Sequence, residues 1–530
     1  MRLGRKISIA FAKLRQLGLS GVLALRRDRR TIAESPLFDA EWYLANNSDV
    51  AANGVDPALH YLLFGVSGNR SPSTGFVTDE YLALNGDVRR SGMNPLLHYE
   101  RFGRREGRPA SFLGGAPRKV TYAEQQGSFR ARCARAAAKL EAGERLRSVF
   151  LVSNASMFPA RPLFDAMLAS DEFDPRVVVV PDVRWRDGAV LSEMASCRGA
   201  LAAEIPADRL SAAEQDVDGV WRDVLEDADV VCYPSPYEMS SFRYNPRYSV
   251  GRQFLPVMVN YGFYRSAYDR GVMCRQSYAW MWKAFFECGD TMDEYRAASP
   301  IGGVNGDLAG YVKMDALAAC GHPVSARRRV LVALHHSVEG GTNDELALSN
   351  FARYADFLLA LPDRYPEIDF VFRPHPFLMR VLSRPGQWGV ERVERYFSAL
   401  RSKPNVAWSG EGGYFREFAM SDACIQDCGS FLVEYLYTRK PCCYMLKSPG
   451  DAEAKFAPLG RKCLGCCYLA FDEEAIERFL DDVVVAGKDP KRAEREALAD
   501  AVALNYPHAA SVALGHILDG IRRGGKGETK

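Results

Sequence analysis

The sequence has no apolar run that could cross a membrane without charged residues. The most apolar stretch near its start, residues 7–25, is interrupted by Lys13 and Arg15, whereas a spanning helix needs about 20 mostly apolar residues. No small-residue cleavage site follows, so we expect neither a membrane span nor a secretory signal peptide here.

An excess of charge of one sign is also missing. The chain has 68 Lys and Arg against 66 Asp and Glu, and a net charge of +2 provides no global basis for binding nucleic acid. Its 13 cysteines are odd in number and scattered, without a disulfide-like framework, which indicates a reducing compartment such as the cytoplasm. The Cys-rich stretches 442–443 and 463–467 have apolar neighbours and no nearby His, so we interpret them as core residues in preference to a zinc site.

Several catalytic motifs are absent. The sequence contains no H-x-x-x-H or H-E-x-x-H motif, no Walker phosphate loop and no G-x-S-x-G elbow. Zinc proteases, P-loop enzymes and α/β-hydrolases therefore lose support, and we predict no metal and no cofactor.

At 530 residues the chain is too long for one hydrophobic core. We predict the following division: a basic amphipathic segment (1–34), two helical repeats (36–112), a linking helix (113–147), two α/β domains (148–322 and 323–490), and C-terminal helices with a tail (491–530).

The basic segment has an apolar helical face and almost no acidic residues. Ile7, Phe11, Leu14 and Leu17 share that face, and Asp28 is the one acid among the first thirty residues, which contain many Lys and Arg. A helix of this kind can lie on an anionic membrane surface, and we expect a peripheral position on the inner face of the membrane. The alternatives are packing on the body of the protein or a disordered basic tail.

An internal repeat follows, with an offset of 38 residues: Phe38, Tyr43 and His60 recur as Phe76, Tyr81 and His98. Each copy predicts two short helices, the second starting at a proline, and such pairs form a small stacked all-α module. The two histidines recur beside aromatic residues, so we expect packed, hydrogen-bonded side chains more than ligands.

Apolar strands then alternate with helices in both halves. We predict strands at 148–153, 176–181, 229–233, 253–260, 328–334, 369–373, 406–408, 423–426 and 442–446. We predict helices at 123–146, 162–169, 212–226, 349–361, 414–420 and within 493–521. This α/β pattern is typical of two doubly wound, Rossmann-like domains that face each other across a cleft, where ligands lie outside the carboxyl ends of the strands.

The turn at residues 427–430 connects a predicted strand to a helix that ends at Lys440-Pro441. We expect Ser430 to cap this helix, so that the turn with Asp427, Gly429 and Ser430 presents a helix N-terminus to a phosphate. An ordinary capped helix is the alternative.

Three histidines and one arginine also fall at strand ends. In Arg373-Pro374-His375-Pro376 the prolines stiffen the turn, the imidazole can exchange a proton near neutral pH, and Arg373 can clamp a phosphate. His335 and His336 follow another strand, and because adjacent side chains point apart we expect at most one of them to face the cleft. The glycine loop at 340–342 is a further, weak phosphate-binding candidate.

These motifs occur in one order that resembles the CDP-glycerol glycerophosphotransferase family of the teichoic-acid polymerase type. The motifs are residues 310–315, the strand 330–334, the Arg373–Pro376 turn, and residues 421–430 through Lys440-Pro441. The resemblance, over about residues 148–480, implies a GT-B-like fold and transfer of glycerol phosphate from CDP-glycerol to a membrane-bound hydroxyl. It also implies that His375 lies near the donor diphosphate and that Asp427 and Ser430 lie in the donor-binding turn. We expect Arg373, Gly429 and Glu434, which follows on the same helix, to bind the donor phosphates as well. Helical repeats of the kind seen at 36–112 resemble docking modules beside such domains in bacterial surface-polysaccharide proteins.

The N-terminal half departs from that family. A Trp-His-Gly-type motif with a proposed catalytic base is replaced by Asn260-Tyr261-Gly262, and His335-His336-Ser337 and Asp427-Cys428-Gly429-Ser430 also differ from the family pattern. We therefore expect a transferase that uses a nucleotide-activated donor and a lipid-linked or polymeric acceptor, with His375, His335 or His336 moving the proton. The alternatives are a GT-B glycosyltransferase and a non-catalytic scaffold that binds nucleotide or polymer.

Overall fold

The computed structural model describes residues 19–47, 50–51, 54–66, 70–110, 120–155, 158–182, 189–217, 219–236, 240, 242–260, 262–263, 277–321, 326–338, 347–410 and 413–525. Most of the predicted basic segment, the glycine loop at 340–342 and Tyr261 lie outside these residues. Within them, no helix is both long and apolar enough to cross a membrane.

The two repeats fold as short helices around one apolar core. The helices are α1 (Leu19–Ala33), α2 (Ala40–Asn46), α3 (Pro57–His60), α4 (Thr78–Leu84), α5 (Gly86–Ser91) and α6 (Pro95–His98), and α3 and α6 each continue as one wide turn, Tyr61–Gly65 and Tyr99–Gly103. Asp56 and Asn94 cap the two proline-started helices by accepting a backbone N–H. The repeat histidines are packed as expected, because the Nδ1 atoms of His60 and His98 lie 2.9 Å from the hydroxyls of Tyr43 and Tyr81.

Helix α1 packs on this repeat module. Arg29 pairs with Asp56 at 2.5 Å, Asp28 pairs with Arg101, and Ile32 is fully buried. The described part of the basic segment therefore packs on the body of the protein, which was the alternative to membrane contact. The side chain of Leu23 is nevertheless 60% exposed.

The N-terminal lobe is built on a seven-stranded sheet in the order β3-β2-β1-β4-β5-β6-β7, in which all neighbours are parallel. Its strands are β1 (Leu146–Val152), β2 (Phe173–Val179), β3 (Leu210–Ala212), β4 (Val230–Tyr233), β5 (Leu255–Val259), β6 (Lys283–Phe286) and β7 (Gly306–Leu308). Its helices are α7 (Tyr122–Glu141), α8 (Arg161–Leu168), α9 (Val190–Ala202), α10 (Gly289–Ala298) and α11 (Asp315–Ala318). The central strands are buried on both faces, which is why they read as continuous apolar runs.

The C-terminal lobe repeats the plan with six parallel strands in the order β10-β9-β8-β11-β12-β13. Its strands are β8 (Arg328–Leu334), β9 (Ile368–Pro374), β10 (Val406–Trp408), β11 (Ala423–Gln426), β12 (Cys442–Met445) and β13 (Tyr468–Ala470). Its helices are α12 (Phe351–Arg364), α13 (Phe377–Leu382), α14 (Val390–Arg401), α15 (Phe415–Met420), α16 (Gly429–Glu434), α17 (Gly450–Lys455), α18 (Pro458–Gly465) and α19 (Glu473–Arg478). Both sheets have Rossmann-like order, and together they form the predicted α/β fold of GT-B type.

The chain passes between the lobes twice, along neighbouring paths. Helix α20 (Arg492–Val502) packs on the C-terminal lobe, but α21 (Ala509–Gly525) returns to α7 and α8 of the N-terminal lobe. Asp315 fixes this return by accepting the backbone N–H groups of Ala509 and Ala510 at 3.2 and 2.7 Å.

The predicted helix at residues 212–226 is wrong. Gln215 pairs with Trp221 in an antiparallel bridge, and Gly219 between them has a φ of +75°. The side chain of Asp216 accepts the backbone N–H of Val220 at 2.8 Å, so a short polar side chain stabilises a turn in place of a helix. The helix of this region is α9, which was not among the predicted elements.

Candidate functional site

The carboxyl ends of three adjacent strands bring the predicted C-terminal residues together. His335 follows β8, His375 follows β9 and Asp427 follows β11, and these strands are neighbours in the order β9-β8-β11. The backbone N–H of His375 donates to the carbonyl of Leu334 at 2.8 Å, which joins two of these strand ends directly.

The three histidine rings form one cluster. The ring centroids of His336 and His375 are 4.0 Å apart, those of His335 and His336 are 4.4 Å apart, and those of His335 and His375 are 5.7 Å apart. The rings of His335 and His336 do not point apart, because the chain bends directly after β8 and no longer alternates as a strand does. His335 is buried and His336 is half-buried, and it stays a prediction that at most one of them faces the cleft. Phe377 flanks the cluster, with its ring 5.4 Å from that of His375.

Burial changes the protonation of these rings. It lowers the pKa of His336 to about 4, and burial together with the neighbouring His336 lowers the pKa of His375 to about 3. Both imidazoles are therefore neutral near pH 7, which corrects the expectation that His375 titrates near neutrality. The Nδ1 of His375 accepts the backbone N–H of Phe377 at 3.1 Å, so its Nε2 carries the proton.

Asp427 is fully buried and holds two loops. Its carboxylate oxygens accept the backbone N–H groups of His335 and Asn350, each at 2.6 Å. Burial raises the pKa of Asp427 to about 7 against the opposing effect of these hydrogen bonds. The buried carboxylate of Asp427 thus holds both the loop of the histidine cluster and the start of α12 in place.

The turn after Asp427 differs in detail from the prediction. Helix α16 has Cys428 as its N-cap residue, no side-chain cap bond, and Ser430 inside its first turn, so Ser430 does not cap it. The helix has six residues and continues as a tight turn, Tyr435–Thr438. Gly429 is buried, Ser430 is half-buried, and a Cβ placed on Gly262 of the opposite lobe would lie 4.0 Å from the Ser430 hydroxyl.

Arg373 lies in a polar chain at the carboxyl ends of β9 and β10. Its guanidinium donates to the Ser409 hydroxyl at 2.6 Å, and Ser409 donates to Glu417 at 2.6 Å. The guanidinium also lies over the ring of Tyr414, 5.7 Å from its centroid, and burial lowers its pKa. The structure therefore places Arg373 beside the histidine strand end with acidic and aromatic neighbours.

Glu434 is fully buried where the lobes meet. Its carboxylate accepts hydrogen bonds from Tyr414 and, at 3.0 Å, from Tyr311, and the amine of Lys313 lies 3.3 Å away. Burial and the charge of Glu434 raise the pKa of Tyr311. Tyr311, Lys313 and Tyr414 were missed as site residues because only tertiary contact brings them to Glu434.

The facing edge of the N-terminal lobe carries two further polar residues that sequence reasoning missed. Asn260 follows β5 and Glu287 follows β6, and the Asn260 amide donates to the Glu287 carboxylate at 3.0 Å. The sequence contained a signal for both residues, because each directly follows an apolar run that forms a strand, and ligand-binding residues often lie at such strand ends.

The cysteines are core residues where the structure describes them. Most are buried, and the Gln426 amide donates to the Cys442 sulfur at 3.2 Å. Within the described ranges, no group of three or more His, Cys, Asp or Glu side chains is arranged to hold a metal ion.

No family model and no curated protein matches the chain. Among solved structures, it is similar to a putative UDP-N-acetylglucosamine 2-epimerase from Listeria monocytogenes (12% identity, 72% of this chain, 97% of that chain, TM-score 0.47). It is also similar to the UDP-GlcNAc 2-epimerase from Neisseria meningitidis bound to UDP-GlcNAc (13%, 71%, 100%, 0.46) and to the wall teichoic acid polymerase TagF (9%, 77%, 95%, 0.46). The similar structures thus include a teichoic acid polymerase, the type that the sequence resembles.

Proposed function

We propose that the protein is a transferase that uses a nucleotide-activated donor, of the CDP-glycerol kind, to extend or modify a bacterial cell-surface polymer. One observation carries the proposal: the histidine cluster, Arg373 and the Ser430 turn lie at strand ends of one Rossmann-like sheet, and Ser430 faces Gly262 of the other. Ligands bind at such edges in open α/β sheets.

In this proposal the C-terminal lobe, residues 323–490, holds the donor, and residues 148–322 hold the acceptor. Arg373 and the turn at Gly429 and Ser430 bind the donor phosphates. The histidines contact a phosphate oxygen through a ring N–H, for which the Nε2 proton of His375 is suited. Asp427 and Glu434 support this site through buried hydrogen bonds that fix its loops.

The proposed reaction joins an acceptor hydroxyl to the donor. The acceptor oxygen attacks the phosphorus that carries the glycerol unit, a new P–O bond forms, and CMP leaves with the electron pair of the broken P–O bond. Arg373 stabilises the charge that develops on the phosphate oxygens, and the Nε2–H of His375 donates a hydrogen bond to one of them. A membrane-bound acceptor fits with α1, which exposes Leu23, Arg26, Arg27 and Arg30 and could rest on an anionic membrane surface at the cytoplasmic side.

Nucleotide binding tests the first half of the proposal. A ligand that binds only the folded protein must raise its melting temperature, so CDP-glycerol should raise it more than UDP-N-acetylglucosamine at equal concentration. Release of CMP from CDP-glycerol in the presence of a lipid-linked acceptor tests the second half. His375→Ala should lower this release strongly, whereas His98→Gln in the repeat module, where His98 is bonded to Tyr81, should not.

A glycosyltransferase that uses a sugar nucleotide is the second candidate, favoured by Tyr261 in place of the family's proposed basic His. Turnover of UDP-N-acetylglucosamine, but not of CDP-glycerol, would select it. Nucleotide binding without turnover of any CDP- or UDP-linked donor would instead support a scaffold role.

A further inference from the structure

Two polar residues of the N-terminal lobe end neighbouring strands at the edge that faces the other lobe. Strands β5 and β6 are parallel, with Val259 opposite Phe285, so Asn260 and Glu287 leave the sheet side by side. The Asn260 amide donates to the Glu287 carboxylate at 3.0 Å, and this bond orients the carboxylate. Glu287 is only 1% exposed, so water has little access to it.

This pair lies close to the contact between the lobes. The same loop continues to Gly262, opposite the Ser430 hydroxyl, and to Phe263, whose ring lies 4.5 Å from that of Tyr311. The hydroxyl of Tyr311 donates to Glu434, and the negative charge of Glu287 is among the causes that raise the pKa of Tyr311. Glu287 is therefore within electrostatic reach of the centre of the site while belonging to the lobe opposite the donor residues.

The proposed transfer needs a proton acceptor on the acceptor side. His336 and His375 are on the donor side, and the Nε2 proton of His375 makes that ring a hydrogen-bond donor to a phosphate oxygen in place of a proton acceptor. A carboxylate oriented by a hydrogen bond from a neighbouring amide has the fixed orientation that a general base needs.

We propose that Glu287 is the general base that removes the proton from the acceptor hydroxyl, and that Asn260 is the residue that positions it. The inference rests on the proposed transferase function. As the acceptor oxygen bonds to the donor phosphorus, its proton passes to Glu287 and the P–O bond to the leaving CMP breaks.

Glu287→Gln is the decisive variant because glutamine keeps the shape and can still accept from Asn260, but it cannot take the proton. We expect turnover of CDP-glycerol with a lipid-linked acceptor to fall by about 100-fold to 10,000-fold, the usual contribution of a general base, with an unchanged thermal shift by CDP-glycerol. Asp293→Asn on the exposed surface of α10 is the matched control and should keep full turnover.

Two further readouts separate catalysis from a structural role. The fall of kcat/KM on the acid side of the pH profile should disappear in Glu287→Gln, and formate should restore part of the turnover of Glu287→Ala. Asn260→Ala should lower kcat less than Glu287→Gln does.

The outcomes distinguish this inference from the proposed function. The role of Glu287 alone would be overturned if Glu287→Gln turned over substrate as fast as the wild type does. It would also be overturned if formate failed to restore the turnover of Glu287→Ala and the thermal shift by CDP-glycerol were lost as well. A wild-type protein that binds and turns over neither CDP-glycerol nor UDP-N-acetylglucosamine would overturn both.

Discussion

Burial alters what the titratable side chains at the strand ends can do. His336 and His375 are neutral near pH 7 because their surroundings disfavour a charged imidazole, and Asp427 keeps its proton to about pH 7 for the same reason. A sequence shows the residue type and its place at a strand end. It does not show the packing that shifts the pKa.

Because the histidines of the cluster are neutral in the free protein, we expect them to take up a proton when a phosphate binds. A nearby diphosphate stabilises the imidazolium form and raises the pKa of His336 and His375, so binding at pH 5.5 should take up a fraction of a proton. Calorimetry of CDP-glycerol binding in two buffers of different ionisation enthalpy measures this uptake, which should vanish by pH 8. His375→Gln should reduce the uptake, and His516→Gln should leave it unchanged. Equal heats in both buffers at pH 5.5 would show that no histidine meets the phosphate.

Asp427 predicts a defined pH dependence of stability. Its pKa is about 7 in the folded protein against 3.8 as the ordinary value, so between these values the folded state holds a proton that the unfolded chain has released. The free energy of unfolding should therefore fall as pH rises from about 4 to 7, by at most about 1.4 kcal/mol per pH unit, and then level off.

Asp427→Asn removes this titration and also replaces one of the two acceptor oxygens by an amide that cannot accept. We expect a loss of about 2 kcal/mol in unfolding free energy at pH 5, measured by urea denaturation, because a buried backbone N–H loses its partner. The gap between wild type and variant should narrow from pH 5 to 7. Asp422→Asn is the control at the other end of β11, where the carboxylate is partly exposed and accepts the Arg329 N–H at 2.8 Å; its cost should be smaller. A gap that widens toward pH 7 would contradict the assignment.

Central strands of the C-terminal lobe, such as β11, were predictable because they are buried on both faces, and the edge strand β10 was predicted although it is partly exposed. The ranges 328–334, 406–408 and 423–426 were predicted to the residue, and so was the position of the three histidines after β8 and β9, but the contact between their rings was not. The helix at 212–226 failed because turn chemistry at Asp216 and Gly219 outweighed an apparently helical pattern. Glu434 was found on its helix, but its partners Tyr311, Lys313 and Tyr414 come from distant segments that no local pattern joins.

The segment that connects the lobes depends on one glycine. Gly310 has a φ of +90°, and a Cβ there would lie 2.1 Å from the carbonyl oxygen of Leu504, on the second crossing of the chain. Gly310→Ala should therefore destabilise the protein by more than the roughly 1–3 kcal/mol that a strained backbone alone costs.

Gly321→Ala is the matched control, since Gly321 has a φ of +64° and a Cβ placed there would have no atom of the described residues within 4 Å. Gly321→Ala should lower the unfolding free energy only by the cost of the strained backbone, because among the described residues its Cβ meets no atom comparable to the Leu504 carbonyl oxygen. Thermal unfolding of both variants measures the difference, and equal melting temperatures would mean that the two crossings can move apart freely.

The last helix of the chain, α21, packs on the N-terminal lobe after the chain has formed the C-terminal lobe, so the stabilities of the two lobes are interdependent. Helix α21 belongs to the core of the N-terminal lobe, where Ala513, Ile517 and Ile521 are fully buried, although it follows the whole C-terminal lobe in sequence. The predicted segment 491–530 therefore groups two helices that serve different lobes, α20 on the C-terminal lobe and α21 on the N-terminal lobe. An N-terminal lobe made from residues 113–322 alone would lack this cover.

Deletion of residues 508–530 should unfold the N-terminal lobe selectively. Each buried isoleucine contributes about 1.5–3 kcal/mol, and the deletion would also expose the faces of α7 and α8 that α21 covers. Limited proteolysis should then cleave within residues 120–321 while fragments of the C-terminal lobe persist, and Ile517→Ala should lower the unfolding free energy by about 2–5 kcal/mol. Deletion of residues 526–530 is the control and should leave the cleavage pattern unchanged. Equal protease resistance of the two truncated chains would show that the N-terminal lobe folds without its returning helix.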